Sequence, residues 1–314
     1  MKDLRIVFMG TPDFAVATLD ALIKANFNIV GVITAPDKPA GRGRKLNESA
    51  VKKYAIAHNL KLLQPTNLKS DDFLNELKAL SVNLQIVVAF RMLPKQIWQL
   101  PKYGTFNLHA SLLPNYRGAA PINWAIINGE TKTGVTTFFI DEKIDTGHII
   151  LQEETNIQEE ETVGELHDKL MNIGSQLVVK TVQLIEKGNV TTKKQPTAEE
   201  KPAPKIFNET CHINWNDYLT NIYNLIRGLN PYPAAWTTLI NNGEEIKVKI
   251  FDVKKEIIHH QHKTGFLVIS KNDIKVAVNE GYLIIESLQI AGKRKMDSKS
   301  LLNGFTFHKN AMFK

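Results

Sequence analysis

Short apolar runs alternate with amphipathic segments along the first part of the chain. The runs at 4–9, 27–34 and 84–89 are apolar almost throughout, which is typical of strands buried on both faces of a parallel sheet. Between the first two runs, residues 14–24 have the apolar spacing of a helix, and Pro12 suits its first turn. A strand, a helix and a strand of these lengths predict a βαβ unit.

The same alternation continues to residue 187. It predicts helices over 49–58, 70–80, 94–100, 119–128 and 162–187, and further strands over 60–63, 105–109, 134–140 and 148–152. We therefore expect an α/β fold class, in which a first domain over 1–188 has a Rossmann-like, open and mostly parallel sheet.

The pattern changes after this domain. Residues 189–205 are polar and contain three prolines, so we predict a linker. A helix over 218–229 follows, and then short segments in which apolar and polar residues alternate. These segments predict strands over 236–240, 246–253, 265–269, 274–278 and 282–290. Short strands separated by Gly and Asn turns favour a small OB-like β-barrel as a second domain, over 206–314.

Composition places the chain among ordinary globular proteins. Its 314 residues are 43% hydrophobic and 23% charged. No apolar run approaches the roughly 20 residues that span a bilayer, and the first residues lack the features of a signal peptide. Cys211 is the only cysteine, which excludes an internal disulfide and fits a reducing cytosol. We therefore expect a cytoplasmic protein.

Positive charge is concentrated in two places. The formal net charge is +7, an excess compatible with a polyanionic partner or with solubility alone. Residues 36–45 hold two prolines, two glycines and four cations, so this loop is either a solvated connection or a phosphate contact. Residues 206–314 carry 14 Lys and Arg against 10 Asp and Glu, with three cations together at 293–295. No GxGxxG or GxxxxGK[ST] motif supports a nucleotide site.

Polar side chains interrupt the predicted strand 105–109. Asn107 and His109 are two residues apart, so both point to the same face of the strand. Asp145 lies in the turn between two later strands, beside the edge of a parallel sheet where ligands bind. A carboxamide can donate to an oxyanion, an imidazole can move a proton, and a carboxylate can fix the imidazole tautomer. The three residues together predict an active site.

Other interpretations of these residues stay open at this point. Asn107 and His109 could merely satisfy buried backbone groups. His109 and Asp145 could ligate a metal, although no Cys and no second His at helical spacing are near. Ser111 could be a covalent nucleophile, although it lacks a GxSxG elbow.

The sequence around these residues resembles a known family. The run from Asn107 to Ile122, NLHASLLPNYRGAAPI, together with Asp145-Thr146-Gly147, resembles the formyltransferases that use 10-formyltetrahydrofolate. Further matching runs are FMGTPDF at 8–14, PDKPAGRGRK at 36–45, RGLNPYPAAW at 227–236 and QIAGK at 289–293. They extend over nearly the full chain, and they are most similar to the members of the family that act on initiator tRNA.

The resemblance implies a reaction and a set of site residues. The formyl group would pass from 10-formyltetrahydrofolate to the amino group of methionine on initiator tRNA, for translation initiation. Asn107 would hold the oxyanion, and His109 and Asp145 would move protons, without a metal and without a covalent intermediate. The implied folate contacts are Ser111, Leu112, Leu113, Pro114, Phe90, Arg91, Met92 and Leu93. The implied tRNA contacts are Arg42, Arg44, Lys45, Lys293, Arg294 and Lys295.

The chain departs from the family at one loop, and the family includes other activities. Where the family often has a Tyr-Gly pair, this chain has Phe90-Arg91, as in related folate-dependent formyltransferases. Relatives with the same three catalytic residues formylate a sugar nucleotide or glycinamide ribonucleotide, or hydrolyse formylfolate. A noncatalytic RNA-binding protein is an alternative of another class. The basic loop and the barrel favour tRNA as acceptor, the intact catalytic residues favour an enzyme, and we expect a monomer.

Overall fold

The chain forms two compact units. A computed structural model describes residues 1–40, 45–197 and 201–314. The first unit consists of Met1–Gly118, Thr133–Thr155 and His167–Pro202. The second unit consists of Ala119–Lys132, Asn156–Leu166 and Ala203–Lys314.

The predicted elements up to residue 187 are all present, together with three short strands, at 38–40, 45–47 and 117–118, that the sequence pattern does not predict. In chain order they are β1 (Ile6–Gly10), α1 (Asp13–Lys24), β2 (Ile29–Ile33), β3 (Lys38–Ala40), β4 (Lys45–Asn47), α2 (Ala50–Ala57), β5 (Leu62–Leu63), α3 (Asp71–Ala79), β6 (Leu84–Val88), α4 (Lys95–Trp98), β7 (Thr105–His109), β8 (Arg117–Gly118), α5 (Pro121–Ile127), β9 (Lys132–Phe139), β10 (Ile149–Asn156) and α6 (Val163–Lys187).

A seven-stranded sheet forms the centre of the first unit. Its strand order is β10-β9-β7-β6-β1-β2-β5. The pairs from β7 to β5 are parallel, and β9 pairs with β7 in antiparallel orientation. All five residues of β1 are buried, as expected for a central strand covered on both faces. The predicted open, mostly parallel sheet is confirmed.

The sheet brings two loops to one edge. In the parallel pair of β6 and β7, Val87 lies opposite Asn107 and Val88 lies opposite Leu108. Both strands therefore end at the same edge, with the 89–94 loop following β6 and the 110–120 loop following β7. On its other side, β7 places His109 opposite Thr136 of β9. This edge carries the candidate site.

The second unit is built around an antiparallel sheet. Its elements after residue 201 are β11 (Pro202–Ala203), a 3-10 turn (Glu209–Cys211), α7 (Leu219–Leu229), β12 (Ala235–Asn241), β13 (Glu244–Ile257), β14 (Leu267–Ile269), β15 (Ile274–Val278), β16 (Gly281–Ile290), β17 (Met296–Asp297), α8 (Ser298–Leu302) and β18 (Met312–Phe313). The order is β14-β15-β16-β13-β12-β18. A further bridge between Phe266 and Met312 connects its two ends, so the sheet is nearly closed. The predicted small barrel is confirmed.

Two earlier segments complete the second unit. In α5, Asn123 donates its side-chain amide to the carbonyl of Gly228 in α7 at 2.8 Å. The buried Arg227 donates to the carbonyl of Glu161 at 3.0 Å and to Asn224 Oδ1 at 2.9 Å. The boundaries predicted from the sequence for independently folding domains stay a prediction. No helix within the described ranges is long and apolar enough to cross a membrane.

Candidate active site

His109 ends strand β7 with its ring almost fully buried. Its Nε2 atom lies 2.8 Å from the carbonyl oxygen of Tyr116. Because a carbonyl only accepts, Nε2 carries the hydrogen, and Nδ1 is the atom that can take up a proton. Nδ1 lies 3.9 Å from Oδ2 of Asp145, which is beyond hydrogen-bond length but close enough for charge stabilisation. A protonated ring at this position faces a carboxylate and a carbonyl.

Asp145 is held on both its side chain and its backbone. Its Oδ2 accepts from the backbone N–H of Gly118 at 3.0 Å. Its backbone carbonyl accepts from Arg117 Nε at 3.0 Å and from Gln195 Nε2 at 2.8 Å. The residue has a left-handed backbone, with φ of 55°. The carboxylate therefore has a defined position opposite the His109 ring.

Asn107 lies on the same face of β7 as His109, as predicted from the spacing. It is half-buried, and its carboxamide has no hydrogen-bond partner among the residues that the structure describes. An amide NH₂ in this state can donate to a substrate oxygen. The structure thus brings Asn107, His109 and Asp145 to one edge of the sheet.

The 111–114 loop is fixed by hydrogen bonds from the sheet. The hydroxyl of Thr136 donates to the carbonyl of Ser111 at 2.6 Å and accepts from the backbone N–H of Leu113 at 3.2 Å. Gln152 donates to the Leu113 carbonyl at 3.0 Å. The fully buried Ser111 hydroxyl donates to the Asn115 carbonyl at 2.7 Å. Because the hydroxyl is buried and already hydrogen-bonded, the structure argues against Ser111 as a nucleophile.

The side chains of this loop divide into two groups. Leu113 packs into a small apolar cluster with Phe138 and Ile149, and Pro114 is also buried. Leu112 is only half-buried. Of the apolar residues predicted to contact folate here, Leu112 is thus the one whose side chain reaches the surface.

The 90–93 loop carries the departure from the family pattern. Arg91 donates to the backbone carbonyls of Pro65 and Thr66, and its guanidinium lies 5.5 Å from the centre of the Phe90 ring. Burial lowers the pKa of Arg91. Met92 is 72% exposed, whereas Leu93 belongs to the apolar core. Arg91 therefore braces the loop against 65–66.

The predicted tRNA contacts fall in two regions. Arg42 and Arg44 lie outside the described residues, and Lys45 is the first residue of β4. In the second unit the run 293–295 is exposed and borders a depression of about 430 Å³. Lys295 forms an ion pair with Asp252 at 3.0 Å. The 293–295 run is thus accessible, but one of its three charges is compensated.

Sequence reasoning does not identify two polar residues of the site. Arg117 belongs to the central motif but was given no role, and Gln195 lies in the predicted linker. Arg117 Nη2 donates to Gln195 Oε1 at 2.6 Å. The place of Arg117 inside the central motif could have identified it, whereas a single Gln in a polar segment gives no such signal. Within the described ranges, no three His, Cys, Asp or Glu side chains are grouped closely enough to hold a metal.

Comparison with known proteins covers nearly the whole chain. The family model described as "Formyl transferase" matches residues 4–182, and that described as "Formyl transferase, C-terminal domain" matches residues 205–306. The chain is 59% identical to a methionyl-tRNA formyltransferase of Flavobacterium johnsoniae over 99% of both chains. It is 52% identical to one of Bacteroides fragilis over 97% of this chain and 96% of the relative.

Solved structures show the same fold. A sugar 3N-formyl transferase, WlaRD, crystallised in the presence of dTDP and 5-N-formyl-THF, is 23% identical, with a TM-score of 0.65 over 94% of this chain and 100% of the other. HypX from Aquifex aeolicus in complex with tetrahydrofolic acid is 17% identical, with a TM-score of 0.64 over 96% of this chain and 47% of the other. At these identities the likeness is one of fold.

Proposed function

The chain belongs to the formyl transferase family, and we propose that it transfers the formyl group of 10-formyltetrahydrofolate to the amino group of methionine on initiator tRNA. The product is N-formylmethionyl-tRNA, used for translation initiation. The observation that carries this proposal is the 59% identity over 99% of both chains with a relative named methionyl-tRNA formyltransferase. The enzyme is a transferase with two substrates, a folate and a charged tRNA.

The site geometry supports a direct transfer. The methionine amine attacks the formyl carbon, and the formyl oxygen becomes negative in the tetrahedral intermediate. Asn107 donates its NH₂ to that oxygen. His109 takes a proton from the attacking nitrogen at Nδ1, and Asp145 stabilises the resulting imidazolium at 3.9 Å. The bond to the folate nitrogen then breaks, and that nitrogen keeps the electron pair and receives a proton.

The loops at the same sheet edge suit a folate. The carboxamide of Asn107 is unpartnered among the described residues, and the loops at the same sheet edge carry the half-buried Leu112 and the exposed Met92. A formyl donor would therefore lie between the 111–114 and 90–93 loops, the contacts predicted from the sequence. The donor supplies the formyl carbon, while the chain supplies the oxyanion donor and the proton acceptor.

The charge distribution supports a nucleic acid as acceptor. Lys293 and Arg294 are exposed on the second unit, and residues 36–45 carry four cations. Phosphate contacts of this kind position a nucleic acid without reading its sequence. We further propose that the protein is a monomer and acts in the cytoplasm.

The function is tested by presenting several acceptors side by side. Labelled 10-formyltetrahydrofolate is incubated with the protein and with charged initiator tRNA, the same tRNA uncharged, charged elongator tRNA, or a nucleotide-linked amino sugar. We expect label on the charged initiator tRNA alone. Transfer to the amino sugar with none to any tRNA would contradict the proposal.

A further inference from the structure

We propose that Gln195 is a positioning residue for formyl transfer, and that it acts by holding Asp145 opposite His109. The inference rests on the proposed function, because it requires that Asp145 takes part in that reaction. Gln195 lies 50 residues after Asp145 along the chain, in the segment between α6 and β11. Nothing in its sequence surroundings marks it as part of the site.

Gln195 uses every hydrogen-bonding position of its amide. Its Nε2 donates to the carbonyls of Asp145 at 2.8 Å and Gly147 at 2.9 Å. Its Oε1 accepts from Nη2 of Arg117 at 2.6 Å and from Nε of the same guanidinium at 3.2 Å. Carbonyls only accept and a guanidinium only donates, so the amide has a single orientation. The side chain thus connects two backbone groups of the 145–147 turn to Arg117.

The segment around Gln195 is anchored beside β10. The backbone N–H and carbonyl of Lys193 exchange hydrogen bonds with those of Ile149, at 2.9 and 2.8 Å. Within residues 191–197, Gln195 alone is buried, at 6% exposure, and its neighbours on both sides are exposed. The backbone pairing therefore fixes the position from which this one side chain enters the site.

The 145–147 turn needs such support. Asp145 has a left-handed φ of 55°, a conformation that is uncommon outside glycine and that aspartate adopts more readily than most residues. At Gly147 an added Cβ would lie 1.6 Å from the carbonyl oxygen of Phe139, so the turn passes tightly over the end of β9. A backbone in this state keeps its geometry only when surrounding contacts determine it. The bonds from Gln195 supply two of those contacts.

The variant Gln195→Glu isolates this role. It keeps the size of the side chain and an acceptor for Arg117, but it replaces the donating NH₂ by an oxygen that faces two carbonyls. Lys194→Gln is the matched control, since this exposed neighbour lies on the same segment and has no place in the site. Rates are expressed per folded, active molecule. Circular dichroism checks the fold, and active-site titration gives the concentration of active enzyme.

We expect Gln195→Glu to lower kcat about 10- to 100-fold, since small displacements of a catalytic group have effects of this size. The KM values for folate and tRNA should stay near those of the wild type, and Lys194→Gln should match the wild type throughout. In the Asp145→Asn background, adding Gln195→Glu should cause no further loss, because residues that act as one unit are not additive. If Gln195 only stabilised the fold, Gln195→Glu would lower the fraction of active enzyme. Its effect on activity would then multiply with that of Asp145→Asn.

Two results separate this inference from the proposed function. If Asp145→Asn is slow while Gln195→Glu turns over like the wild type, the role of Gln195 is wrong and the reaction stands. If Asp145→Asn itself has wild-type kcat, the proposed role of Asp145 fails. If Gln195→Glu does not fold, Gln195→Met replaces it in the comparison with Asp145→Asn. This variant keeps the length of the side chain and removes both polar groups. Wild-type kcat in that variant would overturn the inference.

Discussion

The two nitrogens of His109 have different surroundings, and this difference assigns their roles. Nε2 is bonded to the Tyr116 carbonyl, so the interpretation that the ring only satisfies a backbone group is correct for that atom. Nδ1 faces Asp145 instead, at 3.9 Å. Asn107, two residues earlier, has no partner among the described residues. Satisfying buried backbone groups therefore does not explain the presence of both Asn107 and His109.

We expect Asn107→Ala to slow formyl transfer without unfolding the protein. Loss of one oxyanion donor typically lowers kcat about 10²- to 10³-fold, and no hydrogen bond of the described chain depends on the Asn107 carboxamide. Steady-state kinetics with charged initiator tRNA measure the effect, while thermal unfolding serves as the control. A kcat equal to that of the wild type would remove Asn107 from oxyanion stabilisation.

The sequence was most informative where residue type, spacing and chemistry coincide. Asn107 and His109 could be placed on one strand face from their spacing, and Asp145 could be placed in a turn at the same edge. Gln195 could not be placed, because its proposed role comes from contacts with residues 48 to 78 positions away. A lone glutamine in a polar, proline-containing segment is indistinguishable from solvent-exposed linker.

At the level of secondary structure, the turn between β9 and β10 is the element that positions Asp145. It must carry Asp145 back toward β7 while passing over the end of β9. Glycine at 147 makes this possible, because any Cβ there would lie 1.6 Å from the Phe139 carbonyl oxygen. Alternation of apolar residues predicts the two strands, but it does not reveal how closely the turn approaches them.

Gly147→Ala should destabilise the protein and lower kcat together. Overpacking of this kind costs about 1–3 kcal/mol or more in the free energy of unfolding, and the shifted turn carries Asp145 with it. Urea denaturation measures the stability. Gly304→Ala is the control for it, since a Cβ at 304 meets nothing within 4 Å. Equal stability of the two variants would contradict the tight approach at 147.

Strand lengths show the same limit of local patterns. The strand predicted over 246–253 is β13, Glu244–Ile257, which is longer at both ends. The polar residues at the end of β13 pair with β16, where Lys255 lies opposite Leu283 and Glu256 lies opposite Tyr282. Backbone pairing with a neighbouring strand thus extends β13 beyond its apolar part.

Across the whole molecule, the division into units follows contacts between distant residues. Segments 119–132 and 156–166 belong to the second unit although they interrupt the first in sequence. Arg227 connects one of them through the carbonyl of Glu161, which lies 66 residues earlier in the chain. Periodicity is a local property, so it predicted both folds but not the membership of these segments.

Lys293→Gln combined with Arg294→Gln should weaken the use of tRNA selectively. Each lost phosphate contact reduces the slope of log affinity against log salt by roughly 0.7 to 0.9. The KM for tRNA should rise while the KM for folate stays unchanged. Equilibrium titrations of tRNA binding at several salt concentrations measure this slope.

The control for this pair is Lys271→Gln, an exposed lysine in the turn between β14 and β15 of the same unit. It should leave the slope unchanged. A double variant with the wild-type slope would show that the 293–295 run does not contact phosphates.

In the proposed reaction, formylation of charged initiator tRNA depends on a proton transfer at His109. The most direct measurement is the single-turnover rate of label transfer from 10-formyltetrahydrofolate to that tRNA, for the wild type and for folded His109→Ala. We predict transfer by the wild type and a rate about 10²- to 10⁴-fold lower in the variant, the usual contribution of a general base. Equal rates in the two proteins would contradict proton transfer at His109.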